Sequence, residues 1–306
     1  VTAPLYHSAP TSYAQQAIQQ AETLVVMPRF DAEQTLALIE QYRIETVYLV
    51  PIMYVRLLRL PAEVRAKYDI SSVRFVASTG APCAPDVKQA MLDWWGDVIF
   101  ETYASSETGM ITLQDPQSAR RKPGSVGLPI GDTRIRIVSE DGRECGVGEP
   151  GVIYVRQPMV PDFTYLNNEA ARAKAGLDDL ATVGDIGYLD ADGYLYVCDR
   201  QSDMVISGGV NIYPAEIEHV LITLPGVRDC AVFGIPDAEY GESLMAVVAV
   251  SDPALNEAAI QAFIRSNMAG YKVPGRVELV DVLPRDDNGK VAKRRLRDSY
   301  LTAPVP

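Results

Sequence analysis

Cysteine is scarce in this sequence: four among 306 residues, at positions 83, 145, 198 and 230, each tens of residues from the next. No C-x-x-C pair occurs, so the spacing indicates neither a zinc centre nor a disulfide framework, and reduced thiols in a cytosol are the expectation. Long apolar runs are missing as well. The longest, Leu244 to Val250, falls far short of the about 18 residues that a membrane span needs. No charged-then-apolar segment opens the chain, and a cytoplasmic protein without integral membrane association is expected. Positive charge is in deficit, with 28 basic against 40 acidic residues and a net charge of −12, which argues against a nucleic-acid partner. The one basic cluster, Lys290 with Lys293, Arg294, Arg295 and Arg297, sits near the C-terminus.

What the chain does have is 47% apolar residues, ample for buried cores in one large domain or two moderate ones. Its first hundred residues alternate helix and strand patterns. A helical stretch from about Ser12 precedes an expected strand at Thr23 to Met27; Asp31 caps an amphipathic run to Arg43; Thr46 to Val50 reads as a buried strand. A helix from Ile52 to Leu60 and a strand from Val73 to Ala77 continue the alternation, which implies a parallel sheet covered on both faces. STGAPCAP, Ser78 to Pro85, follows that strand, where open sheets bind ligands. Val98 to Gly109 reads as a strand running into a polar turn. From Gly124 the texture becomes antiparallel β of period two, an expected small barrel or sheet. After about residue 202 a compact α+β unit is expected.

The organising stretch is Thr182 to Glu218. Ile186, Tyr188, Leu189, Tyr194, Tyr196 and Val197 are interrupted by Asp190-Ala191-Asp192-Gly193, the pattern of two strands joined by a tight turn. Such a hairpin brings Asp185 and Arg200 together at its open ends. A carboxylate acceptor beside a guanidinium fork suits the neighbouring hydroxyls of a ribose, although such a pair alone is more often a surface ion pair.

The ordered string GD-x-G-x-x-D-x-D-G-x-L-x-x-x-x-R-x-x-D-x-x-x-x-G-G-x-N-I-x-P-x-E-I-E resembles the adenylate-forming superfamily of acyl-CoA synthetases, peptide synthetase adenylation domains and beetle luciferases. The S-G-G-x-N-I-x-P portion looks like the acid–CoA ligase branch. The resemblance extends along the chain. Pro4-Leu-Tyr-His7 is similar to a P-x-x-H segment and implies that His7 lines an acyl pocket. Gly80, Ala81 and Pro82 match a G-[AG]-P segment whose backbone packs on adenine. Tyr103-Ala104-Ser105-Ser106-Glu107 matches Y-G-x-T-E: Tyr103 stacks on adenine, Ser106 supplies a hydroxyl to the α-phosphate, and Glu107 holds magnesium. Ala104 stands where glycine is usual, so a looser turn is expected there. Asp185 and Arg200 become ribose ligands, Ser202 the hinge residue in place of the usual Asp or Lys, and Gly208 with Gly209 the path of the CoA arm. Lys290, ending P-x-x-x-x-G-K, becomes the lysine that bridges substrate carboxylate and α-phosphate.

The resemblance implies an α/β protein. It would have a partial doubly wound parallel sheet with helices on both faces and a small β-barrel-like subdomain at about 124–201, all within a large AMP-binding domain at 1–201. A separate, smaller and mobile α+β domain at 202–306 would follow. It implies ATP, giving AMP, with magnesium and CoA, and a fatty or aromatic carboxylic acid as substrate; a homodimer is left open. The family's Ser/Thr/Gly-rich phosphate loop does not occur in the sequence, and the chain begins at Val1 in what reads as mid-domain sequence, so a fragment with poor activity by itself is expected. Two alternatives remain: a carrier-protein-loading adenylation domain and a non-catalytic nucleotide- or CoA-binding fragment.

Overall fold

The computed structural model describes residues 1–285 and 290–302. The described residues form two compact units, Val1–Val183 with Gly187–Val197, and Gly184–Ile186 with the residues from Cys198 onward.

The first unit opens with the Ser8–Gln19 helix, one turn earlier than the sequence suggests. Its third residue is Pro10, which a first helical turn tolerates because the missing N–H has no intrahelical partner there. The expected strand at Thr23 to Met27 is corrected. That segment joins no sheet among the described residues; its backbone makes two bonds to one residue, too few for a ladder: the Val1 amine donates to the Val25 carbonyl at 2.6 Å, and the Met27 N–H to the Val1 carbonyl at 3.1 Å. The next helix, Ala32–Tyr42, is capped as its sequence dictates, with the Asp31 carboxylate accepting from the Gln34 N–H at 2.7 Å.

Strands Thr46–Leu49, Phe75–Ser78 and Ile99–Ser105 pair in parallel, as the alternation of helix and strand predicts. The sheet then changes character. Ile99–Ser105 turns back on Gly109–Gln114 as an antiparallel hairpin, and Leu128–Pro129 pairs beyond it. Leu36 and Ile39, Met53 and Leu57, and Met91 and Leu92, from three helices, share one core with the parallel strands.

The period-two region forms a six-stranded antiparallel sheet in which Arg134–Val138 lies along Gly151–Arg156, and the Asp185–Leu189 and Leu195–Arg200 strands sit at one end. No pairing among the described residues closes it, so the barrel-like expectation resolves to a sheet. Gly187 lies where two backbones nearly touch: a Cβ there would stand 2.2 Å from the Tyr196 carbonyl oxygen. At the other end of this hairpin, Lys122 binds both turn aspartates, Asp190 at 2.8 Å and Asp192 at 2.5 Å.

The second unit is built on the long hairpin Val227–Asp237 and Gly241–Val250, with Arg276–Val280 parallel to its second strand. The unbroken apolar run Leu244 to Val250 is explained by burial on both faces. Leu244, Ala246 and Val248 pack with Ile217, Leu221 and Ile260 on one side. Met245 and Val247 pack with Phe233, Leu283 and Leu296 on the other. Helices Pro214–Leu221, Glu257–Asn267 and Lys293–Thr302 complete the unit. No helix among the described residues is long and apolar enough to cross a membrane.

Candidate active site

In the first unit the expected nucleotide and metal residues gather around the Ile99–Gln114 hairpin. Gly80, Ala81 and Pro82 are exposed immediately beyond the Phe75–Ser78 strand. The preceding Thr79 hydroxyl donates to the Thr102 carbonyl at 2.9 Å, which ties this loop to the strand next to Tyr103. Tyr103 is half-buried against the core of Ile111, Val126 and Ile153. A bulge falls between Tyr103 and Ala104: Tyr103 pairs with Thr112, Ala104 with Met110. Bulges re-aim side chains, and this one separates the ring from the residues of the tip. The expected looseness at Ala104 finds no support. Ala104 lies within a paired strand and is absent from the non-glycine residues of positive φ, so its methyl meets no strain.

Ser106 and Glu107 form the tip. The Ser105 hydroxyl accepts the Thr108 N–H at 3.0 Å and so fixes the turn. Ser106 Oγ lies 3.1 Å from Ser8 Oγ, which brings the start of the first helix, and His7 beside it, to the tip. His7 Nε2 is buried without a hydrogen-bond partner in the described protein, an orphaned polar atom of the kind a ligand satisfies. Glu107 Oε1 accepts from the Tyr165 hydroxyl at 3.2 Å. Burial, reinforced by the Glu107 charge, pushes the Tyr165 phenol upward and keeps it a donor. The Tyr165 segment crosses the hairpin at two further points: Gln157 donates to the Met110 carbonyl at 3.2 Å, and Val160 packs where a Cβ on Gly109 would stand. Among the described residues no cluster of three or more His, Cys, Asp or Glu could cage a metal. Glu107, a carboxylate held at the tip by the Tyr165 phenol, fits a magnesium of the kind held by one carboxylate together with substrate phosphates.

Beneath the tip lies a contact that the sequence reading missed. Lys88 is buried and binds Glu101, Gln114 at 2.8 Å and the Ser125 carbonyl at 3.2 Å. It joins the helix after Gly80 to both strands of the hairpin. A signal existed: Lys88 falls in register with Pro85, Met91, Leu92 and Trp95 on the apolar face of its helix.

In the second unit Asp185 and Arg200 meet, Arg200 Nε lying 3.4 Å from Asp185 Oδ1. The two differ in setting: the Asp185 side chain is 11% exposed and that of Arg200 61%. The carboxylate is thus the enclosed member of the pair and the guanidinium the open one. The adjoining Asp199 is buried, accepting from the Arg200 N–H at 2.8 Å and from the Ala215 N–H at 2.9 Å. It serves as a distant cap for the Pro214–Leu221 helix, whose own N-cap residue, Tyr213, makes no side-chain cap. Ser202 is exposed in a turn, where the Asp203 N–H returns to the Arg200 carbonyl at 3.0 Å.

Gly208 and Gly209 are the two-residue turn of the Val205–Ser207 and Val210–Ile212 hairpin, and both take positive φ, +56° and +80°. That is the turn geometry glycine favours. Nothing lies within 4 Å of the Cβ position at Gly209. Lys290 is exposed at the edge of the described chain, and residues 286–289 of the Pro284 to Lys290 loop lie outside the described residues. Lys293 binds Glu218 at 2.8 Å, and Arg285 binds Asp229 at 2.5–2.6 Å; neither pair is visible from spacing. All four cysteines are free thiols, and burial pushes Cys83 up to about 11 and Cys198 up to about 12.

Comparison with known proteins supplies the family. A family model described as AMP-binding enzyme matches residues 1–161, and one described as AMP-binding enzyme C-terminal domain matches 216–290. A feruloyl-CoA synthase of an Amycolatopsis species is 36% identical over 304 residues, 98% of this chain and 61% of the relative. The solved amide bond synthetase McbA from Marinactinospora thermotolerans superposes with a TM-score of 0.86 at 31% identity, over 97% of this chain and 61% of its own. O-succinylbenzoate coenzyme A synthetase from Bacillus subtilis, solved with ATP and magnesium, gives 0.83 at 30% identity over 97% and 61%. The chain thus spans about three fifths of the length of these relatives. Matched by the first of these models over more than half of its residues, the chain belongs to the AMP-binding enzymes, the adenylate-forming superfamily that its motifs resemble.

Proposed function

We propose that the complete protein is an ATP-dependent ligase joining a fatty or aromatic carboxylic acid to CoA. The observation that carries the reading is the 3.4 Å approach of Asp185 and Arg200, an enclosed carboxylate beside an exposed guanidinium, which suits the vicinal hydroxyls of a ribose. The names of the relatives, a feruloyl-CoA synthase and a 2-succinylbenzoate–CoA ligase among them, support acid and CoA as the joined partners.

In the first half a carboxylate oxygen attacks the α-phosphorus of ATP and the α–β bridging bond breaks, pyrophosphate leaving with the electron pair. Lys290 neutralises charge on the α-phosphate and on the incoming carboxylate. The Ser106 hydroxyl donates to an α-phosphate oxygen. Glu107 would hold magnesium, which would supply further charge neutralisation on the phosphates. Gly80 to Pro82 and Tyr103 provide a backbone surface and a ring for adenine, and His7 Nε2 provides an orphaned polar atom for the acyl pocket. In the second half the CoA sulfur attacks the acyl carbon, AMP leaves, and the thiol proton passes to solvent. The open Cβ position at Gly209 favours a path for the narrow pantetheine arm. We assign the large-domain portion to 1–201 and the small domain to 202–306, with Ser202 as the hinge between the two halves of the reaction.

The test is to time each half separately in the complete protein. Lys290→Ala, given ATP and acid, should lose about 10²–10³ in adenylation rate, while preformed acyl-adenylate plus CoA reacts normally. Gly209→Leu should do the reverse. Equal loss of both halves in both variants would sink the alternation of roles. Adenylation without CoA-dependent turnover favours a carrier-loading domain, and nucleotide binding without adenylation favours a non-catalytic one.

A further inference from the structure

Lys290 carries the first half of the proposed reaction, yet its own stem gives it little positional memory: a lysine has roughly 2 kcal/mol of rotamer entropy and no fixed fork. The backbone on either side of it sets the point from which its side chain starts. On the incoming side Arg285 grips Asp229 with two parallel bonds, Nε to Oδ2 at 2.6 Å and Nη2 to Oδ1 at 2.5 Å. On the outgoing side the Lys293 ammonium lies 2.8 Å from Glu218 Oε1. Both pairs are largely withdrawn from solvent, with side chains 20% and 13% exposed in the first and 14% and 20% in the second. Between them the backbone closes on itself through an antiparallel bridge of Arg285 with Val291.

Both anchors land on one rigid support. Asp229 belongs to the Val227–Asp237 strand, and Glu218 Oε1 also accepts the Val232 N–H of the same strand at 2.7 Å. Leu283 and Leu296, one before and one after Lys290, enter the same core as Phe233 and Met245. The outgoing anchor reaches further. Burial raises the carboxyls of both Glu218 and Asp199, and the Lys293 charge opposes that rise at each. Asp199 in turn holds the Arg200 N–H.

We propose that Arg285 and Lys293 are positioning residues that clamp the backbone on both sides of Lys290, so that its ammonium is delivered to the α-phosphate from a fixed origin. The inference rests on the role assigned to Lys290 above. Neither side chain touches substrate. Each acts by holding its own backbone position, Arg285 to the Val227–Asp237 strand and Lys293 to the helix packed against that strand. A misplacement of about 1 Å in a reacting group can cost about 10²-fold in rate, which sets the scale of the effect.

The test uses the complete protein and follows the two half-reactions separately. Lys293→Met should slow adenylation about 10- to 100-fold with the reaction of preformed acyl-adenylate with CoA unaffected. Lys293→Arg should restore adenylation. Arg285→Met should behave as Lys293→Met does. If Lys293→Met fails to fold, Lys293→Met with Glu218→Gln removes both charges and keeps that contact neutral, and adenylation in this double variant should remain slow. Normal adenylation in the double variant, equal loss in both halves, or no rescue by arginine would each overturn the clamp. Lys290→Ala separates the two ideas. If it leaves adenylation intact, the role given to Lys290 is wrong; if it abolishes adenylation while the clamp variants do not, only the clamp is wrong.

Discussion

Two hairpins carry residues to which the proposed function gives roles, and they use opposite ends. The Ile99–Gln114 hairpin offers its tip, Ser106 and Glu107, where neither strand can hold the side chains. They are steadied from outside, by Ser8 and Tyr165, and from below by buried Lys88. The Asp185–Arg200 hairpin offers its base. There the pairing of the two strands sets the separation of Asp185 and Arg200 directly, and the turn at the far end, pinned by Lys122, is remote from the pair. A tip depends on its neighbours; a base depends on its register.

The largest expected effect tests the support of the tip. Glu101→Leu leaves the Lys88 ammonium buried without its carboxylate and should cost about 3–5 kcal/mol in urea unfolding, with Lys88→Met added to it recovering most of the loss. A single variant as stable as the parent would show the pair to be idle. At the base, Asp185→Ala should weaken ATP binding at least about tenfold by titration calorimetry; unchanged affinity would remove the ribose assignment. Tyr165→Phe tests whether the tip needs its neighbour. The magnesium concentration for half-maximal adenylation should rise about three- to tenfold, and no change would mean that Glu107 holds its own position. The smallest effect is expected at the far turn, where Lys122→Met should leave nucleotide affinity within about twofold. A larger loss would show that the base draws on its turn after all.

The base was legible in the sequence because everything that makes it is local: two alternating runs, one turn cluster and the residues at their ends. The Asp31 cap was legible for the same reason. What escaped was contact between distant segments. Tyr165 and Glu107 are 58 residues apart, and nothing in the spacing of either names the other. Lys293 was read as a member of the basic cluster near the C-terminus, and nothing in that reading names Glu218, against which folding buries it. At Thr23 to Met27 an apolar run was read as a strand, whereas among the described residues its backbone bonds reach one residue, Val1, and no ladder forms. The departure at Ala104 was overread: a motif records which residue is usual, not which φ the backbone takes.

Gly187 imposes a discipline on the stretch that follows Asp185. A strand can in principle slide along its partner, and a slip of one residue would exchange its two faces. Here the slide is blocked in both directions, because Ile186 or Tyr188 brought to the place of Gly187 would drive a side chain into the Tyr196 carbonyl, which stands 2.2 Å from the Cβ position. A lone alanine at 187 would meet the same obstruction. The position therefore admits one amino acid out of twenty, and that single tolerance locks the phase of the strand on which Asp185 faces Arg200.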